Sequence, residues 1–496
     1  MSVNQMGTSI EALNRQLTTQ RQAHRKMPVT DAAQRRAQIQ SVIDMLVAGH
    51  CRLVDAMETD FGGRHRGFSL MNDILGSMAS LKHTRDNLGQ WMTLQQRPVF
   101  SPYDQLGASA EVRFQAKGVV GIMGTWNAPI YTLLSPLACV LGAGNRAILK
   151  PSELTPCTAE VLAELIALHL DPEWISTVNG GPELGAAFAG AGFDHLMFTG
   201  SGEVGKKVMT AAAQQLTPVT LELGGKSPAI ISRQGDMMEY CRRLAIAKGT
   251  NGGQICVSPD ILYVPVESKD AVIDALLNQF RRLYPTVTGN GDLTPIINDR
   301  HLERIESLLA DARDRGITLI SSHGDEVGAD RRLGLTLVLE PAADAKVMQQ
   351  EIFGPLLIIK GYQQISEVIE DINSRSNPLA LYWFGDSDSS GNVGSGEERD
   401  GNHVFASELE LVLAMTRSGG VTVNDALLHA AMHDAPFGGT GHSGMGHYHG
   451  REGFLTFSHM KTVLTSPGWD PRAEWGMLPP YHEGFEAVMA SQVVAD

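Results

Sequence analysis

The distribution of apolar and polar residues divides the chain into regions with different periodicities. Up to about residue 97, apolar and charged residues mix at helical spacing, most clearly over 35–57 and 69–94, which predicts helices. From residue 119 onward, short apolar runs alternate with helical patterns. Strands are predicted at 119–123, 147–149, 175–178, 196–198 and 219–223, and helices at 133–141, 158–168, 182–189 and 202–216. This alternation predicts a parallel sheet covered by helices on both faces.

Other segments depart from this alternation. Residues 101–118 are polar and contain turn residues, and 111–115 alternates like an exposed strand, so the segment is either a hairpin arm that reaches a partner subunit or a plain surface loop. A second α/β region extends from about 224 to 440, and the Ser/Gly/Asp/Glu-rich stretch at 386–402 interrupts it as a surface loop. The tail at 467–496 is broken by prolines and charges, so we expect no bilayer anchor there.

Composition narrows the class of protein. A chain of 496 residues predicts two or three domains. Lys+Arg 40 against Asp+Glu 55 gives a net charge of −15, which argues against nucleic acid or an anionic membrane as the main partner. The 5 cysteines form no C-x-x-C pair, so neither a disulfide framework nor a zinc site is indicated. A reducing compartment fits best, and without a visible signal peptide or membrane span we expect the cytoplasm.

A cysteine and a glutamate stand in glycine-rich surroundings that suit a nucleophile and a base. Cys256 lies in the segment 252–258, Gly-Gly-Gln-Ile-Cys-Val-Ser, and Glu222 begins the segment 222–226, Glu-Leu-Gly-Gly-Lys. A thiol becomes a nucleophile when it is partly ionised, which local dipoles promote. A partly desolvated carboxylate can serve as a base. The alternatives are a small buried cysteine and a structural glutamate paired with Lys226.

Two segments after predicted strands suit a nucleotide, because ligands of such sheets bind at the carboxyl ends of the strands. The turn at 198–205, Phe-Thr-Gly-Ser-Gly-Glu-Val-Gly, lets a phosphate approach the first turn of a helix. An ordinary serine-capped turn explains it equally well, and its glycine spacing is not the usual Gly-x-Gly-x-x-Gly. Lys150 and Glu153 suit ribose hydroxyls or, alternatively, a solvated strand end.

Three more residues have both a chemical and a structural interpretation. Asn127, in the segment 124–129, can donate its amide to an oxyanion or simply form a turn before a helix. Glu351 and Phe353 can contact a ribose and a flat ring, or mark the edge of a strand. The glycine-rich loop at 436–446 indicates only unusual backbone conformations. His442, His447 and His449 lack carboxylate or cysteine partners at matching spacing, so we expect no metal.

These motifs occur in an order that resembles the aldehyde dehydrogenase superfamily from roughly residue 10 to 465. The resemblance rests on seven segments, at 125–127, 150–153, 198–201, 222–226, 253–256, 351–355 and 436–439. The short N-terminus and the stretch at 443–450 resemble the class 3 branch, and within it the bacterial coniferyl aldehyde dehydrogenases. Gly252 stands where the family usually has alanine and Ile261 where it usually has tyrosine, which bears on the width of the pocket.

The resemblance implies an α/β architecture of three parts. A Rossmann-type NAD-binding domain would comprise residues 1–100 and 118–223, and an α/β catalytic domain residues 224–440. A bridging oligomerisation arm at 101–117 and 451–470, with its second strand near 453–464, would pair subunits into a homodimer. Residues 471–496 would form a C-terminal tail. The subunit's cofactor would be NAD, possibly also NADP.

The resemblance also assigns roles to the candidate residues. Cys256 would be the nucleophile, Glu222 the general base and Asn127 the oxyanion donor. The cofactor would be held by Lys150 and Glu153 at the adenosine ribose, by Gly200, Ser201 and Gly205 near the pyrophosphate, by Glu351 at the nicotinamide ribose and by Phe353 beside the ring, with Trp126 and Gly202 as further contacts. The expected reaction is NAD(P)-dependent oxidation of an aldehyde to the carboxylic acid through a thiohemiacetal and a thioester.

Alternative functions differ in what receives the acyl group or the electrons. A CoA-acylating aldehyde dehydrogenase is disfavoured by Glu222, because those relatives generally lack this base. A non-catalytic protein that keeps the fold is disfavoured by the intact set of Cys256, Glu222 and Asn127. An alcohol-oxidising Rossmann enzyme is disfavoured by the absence of a metal set or a Tyr-x-x-x-Lys base. The branch favours an aromatic, coniferyl aldehyde-like or a medium-chain aldehyde, and Glu153 should repel a 2′-phosphate and favour NAD.

Overall fold

The helical and alternating patterns of the sequence appear as regular elements in the computed structural model, which describes residues 7–101, 103–324, 330–386, 398–400 and 403–495. The helices in the described part of the chain are α1 (Ile10–Lys26), α2 (Ala32–Phe61), α3 (Arg66–Ser69), α4 (Gly76–Trp91), α5 (Tyr131–Gly142), α6 (Pro156–His169), α7 (Pro182–Ala189), α8 (Gly202–Ala213), α9 (Met237–Gly249), α10 (Lys269–Leu283), α11 (Asp299–Asp314), α12 (Lys346–Gln349), α13 (Ile365–Asn373), α14 (Glu408–Met415), α15 (Gly450–Thr456), α16 (Pro471–Glu474) and α17 (Phe485–Ser491). A π-helical turn, Leu70–Leu75, joins α3 to α4.

The strands follow the short apolar runs. They are β1 (Gln95–Arg97), β2 (Ser109–Ala116), β3 (Val119–Met123), β4 (Arg146–Lys150), β5 (Ile175–Thr177), β6 (His195–Thr199), β7 (Val219–Glu222), β8 (Pro228–Ile231), β9 (Ile261–Pro265), β10 (Leu319–Ser321), β11 (Thr336–Leu339), β12 (Leu356–Tyr362), β13 (Ala380–Phe384), β14 (Glu398–Asp400), β15 (His403–Phe405), β16 (Gly420–Val423), β17 (Gly444–Met445) and β18 (Ser458–Thr465). The described residues divide into two compact units, one from Met1–Trp91 and Ala116–Ser458 and the other from Met92–Gln115 and His459–Asp496.

The first sheet of the larger unit has the strand order β17-β7-β6-β3-β4-β5. β3 to β7 pair in parallel, as the alternation predicts, and their residues are largely buried because helices cover both faces. The chain leaves β3 toward β4 and β5 and then returns to the other side of β3 with β6. This reversal makes the carboxyl ends of β3 and β6 the topological switch point, where ligands of such sheets bind.

One strand of this sheet was not predicted. β17 comes from the glycine-rich loop and pairs antiparallel with β7, so that Gly444 lies opposite Glu222. At φ +155° Gly444 brings its backbone against the Leu221 carbonyl, and a Cβ there would lie 2.4 Å from that oxygen. The short strand has no hydrophobic alternation to reveal it, and only glycine permits the approach.

The second sheet of the larger unit has the order β10-β11-β12-β9-β8-β13-β16. All its pairs are parallel except that of β10 with β11. Its apolar core packs the strands against helices that include α11, α13 and α14. The chain passes from β7 into β8 and so into this sheet directly after Glu222, which places a predicted base at the junction of the two sheets.

The smaller unit contains a three-stranded sheet with the order β1-β2-β18 and the helices α16 and α17. The strand predicted at 111–115 is confirmed within β2. The strand expected near 453–464 begins only at Ser458, because 450–456 forms α15 instead. Most of the insertion at 386–402 lies outside the described residues, apart from Asp386 and β14. In the described residues no helix is long and apolar enough to cross a membrane.

Candidate active site

The predicted nucleophile and the predicted base line one cavity in the larger unit. Its volume is about 580 Å³, and its wall includes both Cys256 and Glu222. Most of the other lining groups are apolar; they include Phe68, Met71, Ile246, Ile255, Leu379, Leu427, Leu428 and Phe437. Such a cavity suits an apolar organic molecule that must reach the thiol.

The backbone before Cys256 adopts a left-handed conformation over three residues. Asn251 has φ 53°, Gly252 φ 63° and Gly253 φ 72°. A Cβ on Gly252 would lie 2.8 Å from the Thr294 carbonyl oxygen, and one on Gly253 only 2.4 Å from that of Gly354. Both glycines are therefore required by close backbone contact, and glycine at position 252 has a local structural reason.

The side chain of Gln254 fixes this loop. Its Nε2 donates to the carbonyl oxygens of Asn251 at 2.9 Å and Pro295 at 3.0 Å, and its Oε1 accepts from the backbone N–H of Ile297 at 3.0 Å. Gln254 is fully buried. A buried amide with this many bonds holds the backbone that presents Cys256, a role that the sequence pattern did not suggest.

Asn127 lies beside the same loop, on the turn after β3. Its side-chain Nδ2 donates to the backbone carbonyl oxygen of Gln254 at 3.1 Å. Its backbone carbonyl oxygen accepts from Nδ2 of Asn251 at 3.1 Å. The first bond uses one of the two amide hydrogens and fixes the orientation of the group.

Glu222 ends β7, and its side chain is buried with no hydrogen-bond partner for either carboxylate oxygen among the described residues. Burial raises its pKa well above the usual value. The alternative partner considered from the sequence, Lys226, does not pair with it. Lys226 Nζ lies 3.1 Å from Asp260 and donates to the carbonyl oxygens of Val347 and Gln350. Glu222 is therefore a desolvated group without a structural ion pair.

Asp260 organises the buried charges near the site. It lies 3.1 Å from Lys226 Nζ and 3.7 Å from Lys248 Nζ, and it accepts from the backbone N–H of Ile352 at 2.9 Å. Burial lowers the pKa of Lys248 to about 8, and Asp260 opposes that change. The Asp260 carboxylate thus links the three segments that carry Glu222, Cys256 and Glu351. This network could not be predicted from local sequence patterns, because its members lie on separate segments of the chain.

Glu351 and Phe353 lie on a loop that reaches the same region. The Glu351 carboxylate packs against Gly224, where a Cβ would lie 2.1 Å from one of its oxygens. Burial raises the pKa of Glu351 to about 8, and the backbone N–H of Gly225 opposes the change. Arg304, which the sequence analysis missed, donates to the carbonyl oxygens of all three residues at 351–353 and so holds the loop.

Trp126 and Phe353 form an aromatic wall. Their ring centroids are 5.3 Å apart with edge-on geometry, and Phe353 takes a positive φ of 46°. Trp126 also contacts Phe61 and His301, at centroid distances of 6.2 Å and 5.0 Å. These contacts orient both rings.

The Cys256 thiol is strongly disfavoured as a thiolate in this arrangement. Burial raises its pKa to about 12, and the negative charges of Glu351 and Glu222 add to the shift. Its own backbone N–H and that of Val257 oppose the shift. The resting thiol is therefore protonated at neutral pH, and a base or a nearby positive charge is needed for attack.

The predicted adenosine-binding residues lie at the carboxyl end of β4. Lys150 is buried, and its Nζ contacts the Pro151 carbonyl oxygen at 3.3 Å and Glu153 Oε2 at 3.4 Å. Glu153 itself is exposed. A buried ammonium beside an accessible carboxylate provides both a donor and an acceptor for a diol, so the pair fits a ribose.

The predicted phosphate-binding turn joins β6 to α8. Ser201 is the N-cap of α8 and accepts from the Val204 N–H at 3.4 Å, as the serine-cap alternative anticipated. A Cβ on Gly202 would meet nothing within 4 Å, whereas one on Gly205 would lie 2.7 Å from Leu223 and one on Gly200 2.5 Å from Phe198. Close packing thus explains why glycine stands at positions 200 and 205. The open space at Gly202, beside the N-terminus of a helix, fits a pyrophosphate.

No group of three or more histidine, cysteine, aspartate or glutamate side chains suited to a metal occurs among the residues that the structure describes. Of the three histidines considered in the sequence, His449 is buried and bonded to Tyr131 and Ser135.

Comparison with known proteins identifies the family. Residues 6–395 and 400–463 match the aldehyde dehydrogenase family. A coniferyl aldehyde dehydrogenase from Pseudomonas sp. (strain HR199 / DSM 7063) is 40% identical over 495 residues, which cover 99% of this chain and 98% of the relative.

Two solved structures share the fold. The substrate-bound state of Staphylococcus aureus AldH has a TM-score of 0.85 at 31% identity and covers 97% of this chain and 99% of its own. A Mycobacterium tuberculosis aldehyde dehydrogenase complexed with NAD⁺ has a TM-score of 0.79 at 26% identity, covering 93% of this chain and 91% of its own.

Proposed function

The chain belongs to the aldehyde dehydrogenase family, and from this premise we propose that it oxidises an aldehyde to the carboxylic acid through a covalent intermediate on Cys256. One observation carries the assignment: the Cys256 thiol and the buried, unpaired carboxylate of Glu222 line the same cavity. The anchored amide of Asn127 completes the set. Because Glu222 has no ion pair among the described residues, it is available to a reacting water or thiol.

The cofactor is NAD(P)⁺, and when bound its nicotinamide accepts the hydride that leaves the substrate carbon. Lys150 and Glu153 would hold the adenosine ribose, the turn at 200–205 would hold the pyrophosphate, and Glu351 would hold the second ribose. Trp126 and Phe353 limit the space for the ring. The exposed carboxylate of Glu153 disfavours a 2′-phosphate, which supports a preference for NAD⁺.

The residues of the chain then act in a defined order. The Cys256 thiol releases its proton to solvent and its sulfur adds to the aldehyde carbon. The resulting oxyanion accepts from the second amide hydrogen of Asn127 and from the Cys256 backbone N–H. Loss of hydride leaves a thioester on Cys256. Glu222 takes a proton from water, the water oxygen attacks the thioester, and the carboxylic acid departs as the thiol is restored. Burial raises the pKa of Glu222 above the usual value of a carboxyl group and so makes its carboxylate a stronger base than an exposed one.

The substrate that the cavity favours is an aromatic aldehyde such as coniferyl aldehyde. The cavity of about 580 Å³ has a mainly apolar wall, which suits a planar aromatic molecule. The similarity to the Pseudomonas coniferyl aldehyde dehydrogenase supports the same substrate class. A medium-chain aldehyde is the second candidate, since the apolar wall also accommodates an alkyl chain.

The smaller unit supports a homodimer. Its segments coincide in large part with the predicted arm at 101–117 and 451–470, and its exposed apolar residues include Trp469, Trp475 and Leu464. Such residues are candidates for burial against a second copy. Light scattering on a size-exclusion column tests this, since a monomer at micromolar concentration would contradict it.

The free cysteines of the described chain suit a reducing compartment, and we place the enzyme in the cytoplasm.

A panel of aldehydes with NAD⁺ and NADP⁺, followed by the absorbance of the reduced nicotinamide, tests the proposed function. We expect oxidation of aromatic aldehydes, its loss in Cys256→Ser, and no acyl-CoA when CoA is added. Oxidation that persists without the Cys256 thiol would contradict the covalent mechanism. Formation of acyl-CoA would favour the CoA-acylating alternative instead.

A further inference from the structure

A series of hydrogen-bonded polar side chains leads to the wall of the cavity. Ser135 Oγ lies 3.0 Å from His449 Nε2 and 2.8 Å from Ser80 Oγ, and Ser80 Oγ lies 3.0 Å from His433 Nδ1. His449 Nε2 also contacts the Tyr131 hydroxyl at 3.2 Å. Ser80, Ser135 and His449 are buried. A buried chain of this kind orients the ring at its end.

That ring is His433, which lines the cavity. Its Nδ1 is engaged by Ser80, whereas its Nε2 has no hydrogen-bond partner among the described residues. The ring is half-buried, and burial lowers its pKa, so the imidazole is neutral at neutral pH. A neutral imidazole offers Nε2 either as a donor or as an acceptor, depending on its tautomer.

Several other polar groups of the cavity wall already have partners. Both Arg242 and Arg243 bond to Glu239, and Arg243 also lies 3.3 Å from Asp425. The Tyr131 hydroxyl donates to the Ala430 carbonyl oxygen at 3.2 Å. The open nitrogen of His433 is therefore a polar atom available to a ligand within a largely apolar surface.

We propose that His433 Nε2 binds a hydroxyl group of the substrate, and that the cavity selects hydroxylated aromatic aldehydes through this bond. The inference rests on the proposed function and narrows its substrate class. A phenolic hydroxyl both donates and accepts, so it can bond to Nε2 in either tautomer. A site built to bond a hydroxyl discriminates against the analogue that lacks it, because its own polar atom is then left unpaired.

The test compares 4-hydroxycinnamaldehyde with unsubstituted cinnamaldehyde in the full-length enzyme with NAD⁺. The measured quantity is the ratio of their kcat/KM values, in the wild type and in His433→Phe. Electronic effects of the hydroxyl on the carbonyl are the same in both enzymes and cancel. We expect the ratio to fall about tenfold in His433→Phe, the order of effect of one lost hydrogen bond.

Two further variants separate binding from structure. His433→Gln keeps a donor and an acceptor, and it should recover most of the ratio. His83→Gln alters a neighbouring histidine that bonds to Asp434 and is not part of the cavity wall, and its ratio should equal that of the wild type. An unchanged ratio in both His433 variants, whatever the absolute rates, would overturn the proposal. A wild type that oxidises no aldehyde would instead overturn the proposed function.

Discussion

Arg64 and Asp73 form an ion pair that is fully buried, with Arg64 Nη2 at 2.8 Å from Asp73 Oδ2. The second carboxylate oxygen, Oδ1, accepts from the backbone N–H groups of Ile130 and Tyr131 at 3.1 Å and 3.2 Å. These residues follow Asn127 and lead into α5. The pair therefore connects the π-helical turn that borders the cavity to the turn that carries the oxyanion donor.

Replacement of Asp73 by asparagine should destabilise the fold strongly. The change keeps the shape of the side chain but leaves the Arg64 charge buried without a counter-charge, which costs about 3–5 kcal/mol. Chemical denaturation gives the free energy of unfolding. Asp55→Asn is the matched control, because Asp55 pairs with Arg66 at the exposed surface and should cost about 1 kcal/mol or less. Equal losses of unfolding free energy in the two variants would show that burial does not determine the cost of breaking the ion pair.

Asn127→Ala should slow formation of the thioester while the fold survives. Loss of one oxyanion donor typically lowers the rate by about 10²–10³. Rapid-mixing measurement of the first turnover of NADH reports this step. Asn127→Asp is the matched variant, since it keeps the size of the side chain but removes the donor hydrogens, and it should be at least as slow. Near-normal acylation in both variants would exclude Asn127 from this role.

Glu222→Gln should stop the reaction after one turnover. The amide cannot take a proton from water, so the thioester on Cys256 should accumulate after a single burst of NADH. Intact-protein mass spectrometry detects the acyl adduct, and Cys256→Ser shows whether it is on the expected sulfur. Sustained turnover of Glu222→Gln at neutral pH would show that another group acts as the base.

Glu351→Gln should make the Cys256 thiol more reactive in the absence of cofactor. Above its pKa of about 8, Glu351 is charged, and this charge contributes to the raised pKa of Cys256. Without it the thiolate fraction at pH 9 should rise, and alkylation by iodoacetamide should accelerate by up to about tenfold, the effect of one pKa unit.

Peptide mass spectrometry separates the Cys256 label from that of the exposed Cys51. Glu303→Gln, an exposed change on α11, is the control and should have no effect. Slower alkylation in Glu351→Gln would mean that the carboxylate does not repel the thiolate.

Glu153→Gln should shift cofactor preference toward NADP⁺. Removal of the carboxylate near the expected adenosine ribose lowers the repulsion of a 2′-phosphate. The ratio of kcat/KM for NADP⁺ to that for NAD⁺ should rise by about tenfold, as expected for about 1.4 kcal/mol. Glu160→Gln on α6 changes the net charge equally and should leave the ratio near its wild-type value. No difference between the two variants would place the ribose elsewhere.

The sequence predicts the parallel strands of the first sheet well, because their apolar runs and intervening helices carry strong local patterns. It also predicts that Cys256 and Glu222 belong together, through the order of motifs. It does not reveal β17, whose pairing depends on the glycine backbone and not on side chains.

Contacts between segments that are distant in the chain also cannot be predicted from local sequence patterns. Lys226 closely follows Glu222 in the sequence, so an ion pair between these two residues was the alternative interpretation. In the structure the Lys226 ammonium pairs with Asp260 instead. The bonds of Gln254 and Arg304 join segments more than 40 residues apart. Local patterns describe elements, whereas these bonds depend on how the elements pack.

The contact between Gly253 and Gly354 has a consequence for engineering. The two loops fit only because the first lacks a Cβ where the second presents its carbonyl oxygen, 2.4 Å from that position. A design that transplants the thiol-bearing loop into another scaffold would therefore need to carry the facing loop with it. Directed evolution of this enzyme should find few accepted changes at Gly253.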